Sequence, residues 1–85
     1  MNTLIIFQFE TGDSSVRYYD VPIIAKNCSM DKCKEIEDSM ESFVEKMDED
    51  LDYEDMVETV MNESGVEYEF SHDEMSFRFL YTMQI

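Results

Sequence analysis

An apolar stripe that runs from Cys33 to Leu51 does most to constrain the fold of this chain. Apolar side chains recur there at spacings of three and four residues: Cys33, Ile36, Met40, Phe43, Met47 and Leu51, with Val44 widening the stripe. This period is that of one buried face of an α-helix. Ser29 precedes the stripe as an N-cap. The pattern predicts a long helix that packs against an apolar surface.

A second helix is predicted directly after the first. Asp52 is a good N-cap, and Gly65 supplies the position just past the last turn, where the backbone becomes left-handed. Between them, apolar residues recur at helical spacing: Tyr53, Met56, Val57, Val60 and Met61. The methionines of both stripes are interpreted as core residues, although methionines can also form a pliable binding groove.

The N-terminal segment predicts a β-hairpin. Leu4–Phe9 is a short run rich in strand-forming residues, and Thr11–Ser15 has the composition of a turn. Val16–Val21 resumes with alternating polar positions and forms the second strand. Pro22 is expected to end it, because proline lacks the N–H that a ladder requires.

The C-terminal segment predicts a second hairpin. Val66–Phe70 alternates apolar and acidic residues, Ser71–Glu74 has the composition of a turn, and apolar residues alternate again from Met75 to Met83. The expected strand there is Phe77–Met83.

The element order is therefore ββααββ, an α+β arrangement in one domain over residues 1–85. The simplest solution is a four-stranded antiparallel sheet with a two-helix hairpin packed on one face. The most apolar strands, Leu4–Phe9 and Phe77–Met83, are expected side by side at the centre. An edge strand, Val16–Val21 or Val66–Phe70, could pair with a second copy, so a monomer and a homodimer both remain open.

Acidic residues are concentrated in the middle of the chain. The net charge is −15, yet Glu35 to Glu74 alone hold seventeen acidic residues and one base, Lys46. On the first helix, Glu37, Glu41, Glu45 and Glu49 recur every four residues, roughly 6 Å apart. The acidic series continues through Asp48, Asp50, Asp52, Glu54, Asp55 and Glu58.

The row of four glutamates on the first helix forms an acidic ridge. This ridge destabilises the helix, since like charges at this spacing repel. In spacing and sign it is similar to the phosphate backbone of nucleic acid, against which binding proteins place Lys and Arg. These ten residues are therefore the predicted contacts with a basic partner protein. The alternative is a solvated face that only keeps the protein monomeric.

No catalytic, metal or cofactor site is predicted, and the protein is not expected to be an enzyme. Asp48, Asp50 and Asp52 begin like a calcium loop, but Tyr53 occupies the position that needs glycine, and Thr59 the position that needs glutamate. Two cysteines and one histidine, Cys28, Cys33 and His72, are too few for a zinc site. The cysteines are interpreted as core residues, and His72 as a surface residue.

A reduced, cytoplasmic setting is expected. Secreted domains of this size usually carry four or more cysteines, and this chain has two. The first nine residues lack the basic region and the cleavage site of a signal peptide. No apolar run approaches the roughly 20 residues of a membrane span, and an anionic lipid surface would repel the chain.

The size of the chain, its acidity and its lack of catalytic residues are features that it shares with a known class of small proteins. The chain resembles the small inhibitors made by bacteriophages and mobile elements, which include DNA-mimicking anti-restriction and anti-CRISPR proteins. The resemblance implies that it acts in the host cytoplasm, without contacting nucleic acid itself, and blocks a basic nuclease such as a CRISPR–Cas or restriction enzyme. An alternative is an immunity protein or antitoxin that neutralises a basic toxin. An adjacent toxin gene would favour this alternative, and a phage setting the inhibitor.

Overall fold

The computed structural model describes residues 2–12, 14–47, 50–71 and 79–85. In these residues, strands β1 (Asn2–Glu10) and β2 (Tyr18–Lys26) precede helices α1 (Met30–Lys46) and α2 (Tyr53–Ser64), which precede strands β3 (Tyr68–Phe70) and β4 (Phe79–Gln84). This order confirms the α+β class and the ββααββ arrangement. Most of the predicted turn at Ser71–Glu74, including His72, lies outside the described residues.

The four strands form one mixed sheet in the order β3-β2-β1-β4. β2 is antiparallel to both β1 and β3, but β4 runs parallel to β1, with Thr3 opposite Phe79. The prediction of a fully antiparallel sheet is therefore wrong, and so is the second hairpin. β3 and β4 lie at opposite edges of the described sheet, each beside a different strand of the first hairpin.

The burial of β1 explains its central place. Phe7 is fully buried on the helix side, and Leu4 is 2% exposed on the opposite side. A strand that is apolar on both faces favours a place between two neighbours. β1 and β4 are side by side as predicted, although β4 is an edge strand and not a central one. The edge position of Val66–Phe70 is confirmed by β3, whereas Val16–Val21 is not an edge because β2 lies between β1 and β3.

Pro22 does not end the second strand, which continues to Lys26. The Pro22 carbonyl accepts a hydrogen bond from the Ser71 N–H at 3.0 Å, on the side of β3. The N–H and C=O of one strand residue point to the same side. The missing donor of Pro22 is thus directed away from β1, and the β1–β2 ladder loses no hydrogen bond.

Both helices begin where the sequence predicts. The Ser29 hydroxyl accepts a hydrogen bond from the Lys32 N–H at 3.2 Å, whereas the side chain of Asp52 makes no capping bond. Gly65 ends α2 with a φ of +75°, as predicted. α1 ends at Lys46, so Met47 and Leu51 belong to the connection between the helices, where they still pack against the core.

The helices cover one face of the sheet. The core combines side chains from the helix-facing side of the strands with those of both helical stripes: Ile5, Phe7, Val21, Ile23, Cys33, Ile36, Met40, Val57, Val60 and Met61. The predicted core roles of the cysteines and of the stripe methionines are confirmed. Cys28 and Cys33 are both buried free thiols, with their sulfur atoms 3.6 Å apart.

Candidate partner-binding surface

The predicted contact residues differ in how far they are exposed. Six of them are exposed on the two helices and their connection, and we call this set the acidic layer: Glu41, Glu45, Asp50, Asp52, Asp55 and Glu58. Glu37 and Glu54 are half-buried. Asp48 and Glu49 lie outside the described residues. Within the described part of the chain, no ion pair joins the acidic layer to a base.

Glu37 has a structural role as well as a charge. Its carboxylate accepts a hydrogen bond from the Tyr81 hydroxyl at 2.8 Å, which ties α1 to the edge strand β4. This hydrogen bond, together with burial and the charge of Glu37, raises the pKa of Tyr81 to about 12. The first member of the predicted ridge is thus held against the sheet, and Glu41 and Glu45 are the ridge residues that face solvent.

Glu54 has the corresponding role in α2. The Tyr19 hydroxyl, from β2, donates to its carboxylate at 2.6 Å. That hydrogen bond, the charge of Glu54 and a smaller effect of Asp52 raise the pKa of Tyr19. Each helix therefore presents one carboxylate to a tyrosine of the sheet.

The two helices place their acidic residues on opposite sides of the helical layer. Glu37 contacts Tyr81 in β4, at one edge of the sheet. Burial, and then the charge of Glu58, raise the pKa of Tyr68 in β3, at the other edge. Residues four apart share a side of a helix, so Glu41 follows Glu37 on one side and Glu54 precedes Glu58 on the other.

A shallow groove separates these two sides. It lies between the helices and is lined by Asp38, Ser39, Ser42, Phe43 and Lys46 of α1 and by Glu63 of α2. The groove contains Lys46, the one base between Glu35 and Glu74. The described carboxylates of α1 and α2 therefore lie on either side of this groove.

Two contacts between tyrosines and acidic residues were not predicted from the sequence. Tyr19 and Tyr81 donate to carboxylates from distant parts of the chain, and Tyr19 and Glu54 are 35 positions apart in the sequence. Alternation along β2 could have placed Tyr19 on the helix side. Nothing local indicates which carboxylate it meets.

The described residues hold neither a metal-binding cluster nor a membrane-spanning helix. Among them, no group of three or more His, Cys, Asp or Glu side chains is arranged to hold a metal ion. Neither helix in this part of the chain has the length and apolar character that a membrane crossing needs. Comparisons with known protein families, curated proteins and solved structures find no match to this chain.

Proposed function

We propose that this protein is an inhibitory binding protein whose acidic layer occupies the nucleic-acid-binding surface of a basic protein. A CRISPR–Cas or restriction nuclease is the kind of partner that we expect. The observation that carries the proposal is the acidic layer itself: six exposed carboxylates that have no ion-pair partner within the described residues.

The energetics of such binding follow from charge. A basic nucleic-acid-binding surface gains much of its affinity by releasing counterions when Lys and Arg approach phosphates. Carboxylates at helical spacing offer the same exchange. Because they are carried by helices packed on a sheet, little backbone conformational entropy is lost when they bind.

The arrangement of the charges favours a cleft over a flat partner. Acidic residues lie on both outer sides of the helix pair: Glu37 contacts β4 and is followed one turn later by Glu41, whereas the charge of Glu58 acts on Tyr68 in β3. A helix pair with carboxylates on both sides can enter a basic groove and contact both of its walls. Clefts of one sign also concentrate the field that attracts such a ligand.

The test uses two variants with equal net charge. In the layer variant, three acidic-layer residues are reversed, as Glu41→Lys, Glu45→Lys and Asp55→Lys. The matched control reverses three exposed acids on the sheet face opposite the helices: Glu10→Lys, Asp20→Lys and Glu69→Lys. Circular dichroism and thermal unfolding establish that both variants are folded.

Each protein is immobilised and exposed to bacterial lysate at about 0.1 and 0.5 M salt, and captured proteins are identified by mass spectrometry. A purified captured protein is then bound to labelled duplex DNA, and DNA release is followed by fluorescence anisotropy. We expect the wild type and the control to release the DNA and the layer variant to fail. Equal release by both variants would refute the proposal, as would capture that does not respond to salt.

A further inference from the structure

A column of aromatic rings leads from the core to the surface beside the acidic layer. The Phe9 ring, 3% exposed, stacks on Tyr53 with a centroid distance of 4.7 Å. Tyr53 in turn stacks on Tyr19 with a centroid distance of 5.2 Å. Tyr19 is 41% exposed. One face of its ring is covered by Tyr53, so its exposed surface is held in a fixed orientation.

The hydroxyl end of Tyr19 is fixed as well. It donates to Oε1 of Glu54 at 2.6 Å, and Glu54 follows Tyr53 in the chain. An ionised carboxylate has about four acceptor positions on its two oxygens. Glu54 therefore keeps acceptor capacity after it has bound Tyr19. A ring held both by stacking and by a hydrogen bond loses little freedom when a ligand arrives.

The charge around this ring is negative. Asp52, Tyr53 and Glu54 are consecutive, and the charge of Asp52 acts on Tyr19. The α2 N-terminus contributes only about half a positive charge, which these two carboxylates outweigh. Arg17, two residues before Tyr19, makes no ion pair within the described part of the chain. The site is therefore suited to a cation from another molecule.

Resting on the function proposed above, we infer that Tyr19, Glu54 and Asp52 form a recognition site for an arginine side chain of the basic partner. The guanidinium stacks on the exposed surface of the Tyr19 ring, and its N–H groups donate to the two carboxylates. Arginine fits better than lysine because its planar group stacks on aromatic rings and presents a rigid fork of donors. Tyrosine and arginine are also among the residues enriched at the positions that dominate binding energy at interfaces.

Fluorescently labelled nona-arginine and nona-lysine peptides test this inference, because they carry equal charge and differ in the cation. Binding is measured by anisotropy at about 0.1 M salt. We expect the wild type to bind nona-arginine roughly two- to fivefold more tightly, the range that a cation–π contact provides at an exposed site.

Tyr18 supplies the matched control. It is adjacent to Tyr19 and equally exposed, at 41%, but lies on the opposite face of the sheet. Tyr19→Leu should abolish the preference for nona-arginine, and Tyr18→Leu should keep it. Tyr19→Phe, which retains the ring, should keep more of the preference than Tyr19→Leu.

A measurement on the wild type covers the case in which Tyr19→Leu does not fold. In NMR spectra of the aromatic side chains, nona-arginine should shift the ring signals of Tyr19 and leave those of Tyr18 in place. Equal affinity for the two peptides, or unmoved Tyr19 signals, would overturn the arginine site. Salt-sensitive binding of both peptides would still support an acidic binding surface, whereas failure to bind either peptide would count against the proposed function too.

Discussion

The hydrogen bond from Tyr81 to Glu37 should contribute to the stability of the fold, and a single substitution tests this contribution. Tyr81→Phe removes the hydroxyl that donates to Glu37 at 2.8 Å and leaves the ring in place. An intramolecular hydrogen bond contributes about 1 kcal/mol to the free energy of unfolding, and bonds to charged groups contribute more. Because both groups are half-buried, water partly replaces the lost bond. We expect a loss of about 1 kcal/mol and a Tm lower by about 4–8 °C for a domain of this size.

The effect must depend on pH in a defined direction. The pKa of Tyr81 is raised to about 12 from its ordinary value of 10, so the folded state holds this proton more tightly than the unfolded state. The contribution to stability is therefore complete below pH 10 and is lost as the pH rises from 10 to 12. Above that range, tyrosinate and the Glu37 carboxylate repel each other. The stability difference between the wild type and Tyr81→Phe should shrink across this window.

Urea unfolding followed by circular dichroism, at several pH values, measures this difference. Tyr19 and Tyr68 also have raised pKa values, so only the comparison with Tyr81→Phe isolates Tyr81. Subtracting the tyrosinate absorbance of the variant from that of the wild type gives the titration of Tyr81 directly. Glu37→Gln should lower the pKa of Tyr81, since it removes the charge. A Tyr81 titration at its ordinary value, or a stability difference that does not change with pH, would refute this account.

Three further outcomes are expected. Raising the salt concentration from about 0.02 to 0.3 M should raise the Tm, because salt screens repulsion among the acidic residues. Ser29→Ala should lower the free energy of unfolding by about 1 kcal/mol, whereas Asp52→Ala should cost less, because only Ser29 makes a capping bond. Cys28 and Cys33 are buried free thiols. Burial, followed by the contact with Cys28, raises the pKa of Cys33 to about 12. Ellman's reagent should therefore label the native thiols far more slowly than the denatured ones. A Tm that is constant or falls with salt would contradict the first expectation. Equal losses of unfolding free energy in the two cap variants would contradict the second, and equal labelling rates of native and denatured thiols the third.

The local structure could be predicted because its signals are local. The stripe from Cys33 onwards, the cap at Ser29 and the left-handed Gly65 each depend on neighbours within one or two turns. Strand pairing depends on residues far apart. Alternation predicts one inward face for Phe77–Met83, but it does not predict whether the strand pairs with β3 or with β1, and β1 had an open edge.

The sequence predicts which residues form the acidic surface, but it does not predict which of them contact the sheet. The sequence identifies the carboxylates and their helical spacing, so the exposure of Glu41, Glu45 and Glu58 follows. It does not show that tyrosines of the sheet contact Glu37 and Glu54, because those hydrogen bonds depend on the register of distant strands. The Pro22 prediction is wrong for the same reason, since the cost of the missing N–H depends on which neighbour it would have faced.

The parallel pairing of β1 with β4 joins the first and the last of the described strands. β1 leaves the ribosome first, yet its partner on one side, Phe79–Gln84, is the last element of the fold to be made. Contacts between such distant segments slow folding. Until β4 arrives, the nascent chain displays one edge of its most apolar strand, which is a template for association with other chains. The sheet therefore closes only after the whole acidic middle of the chain has been made.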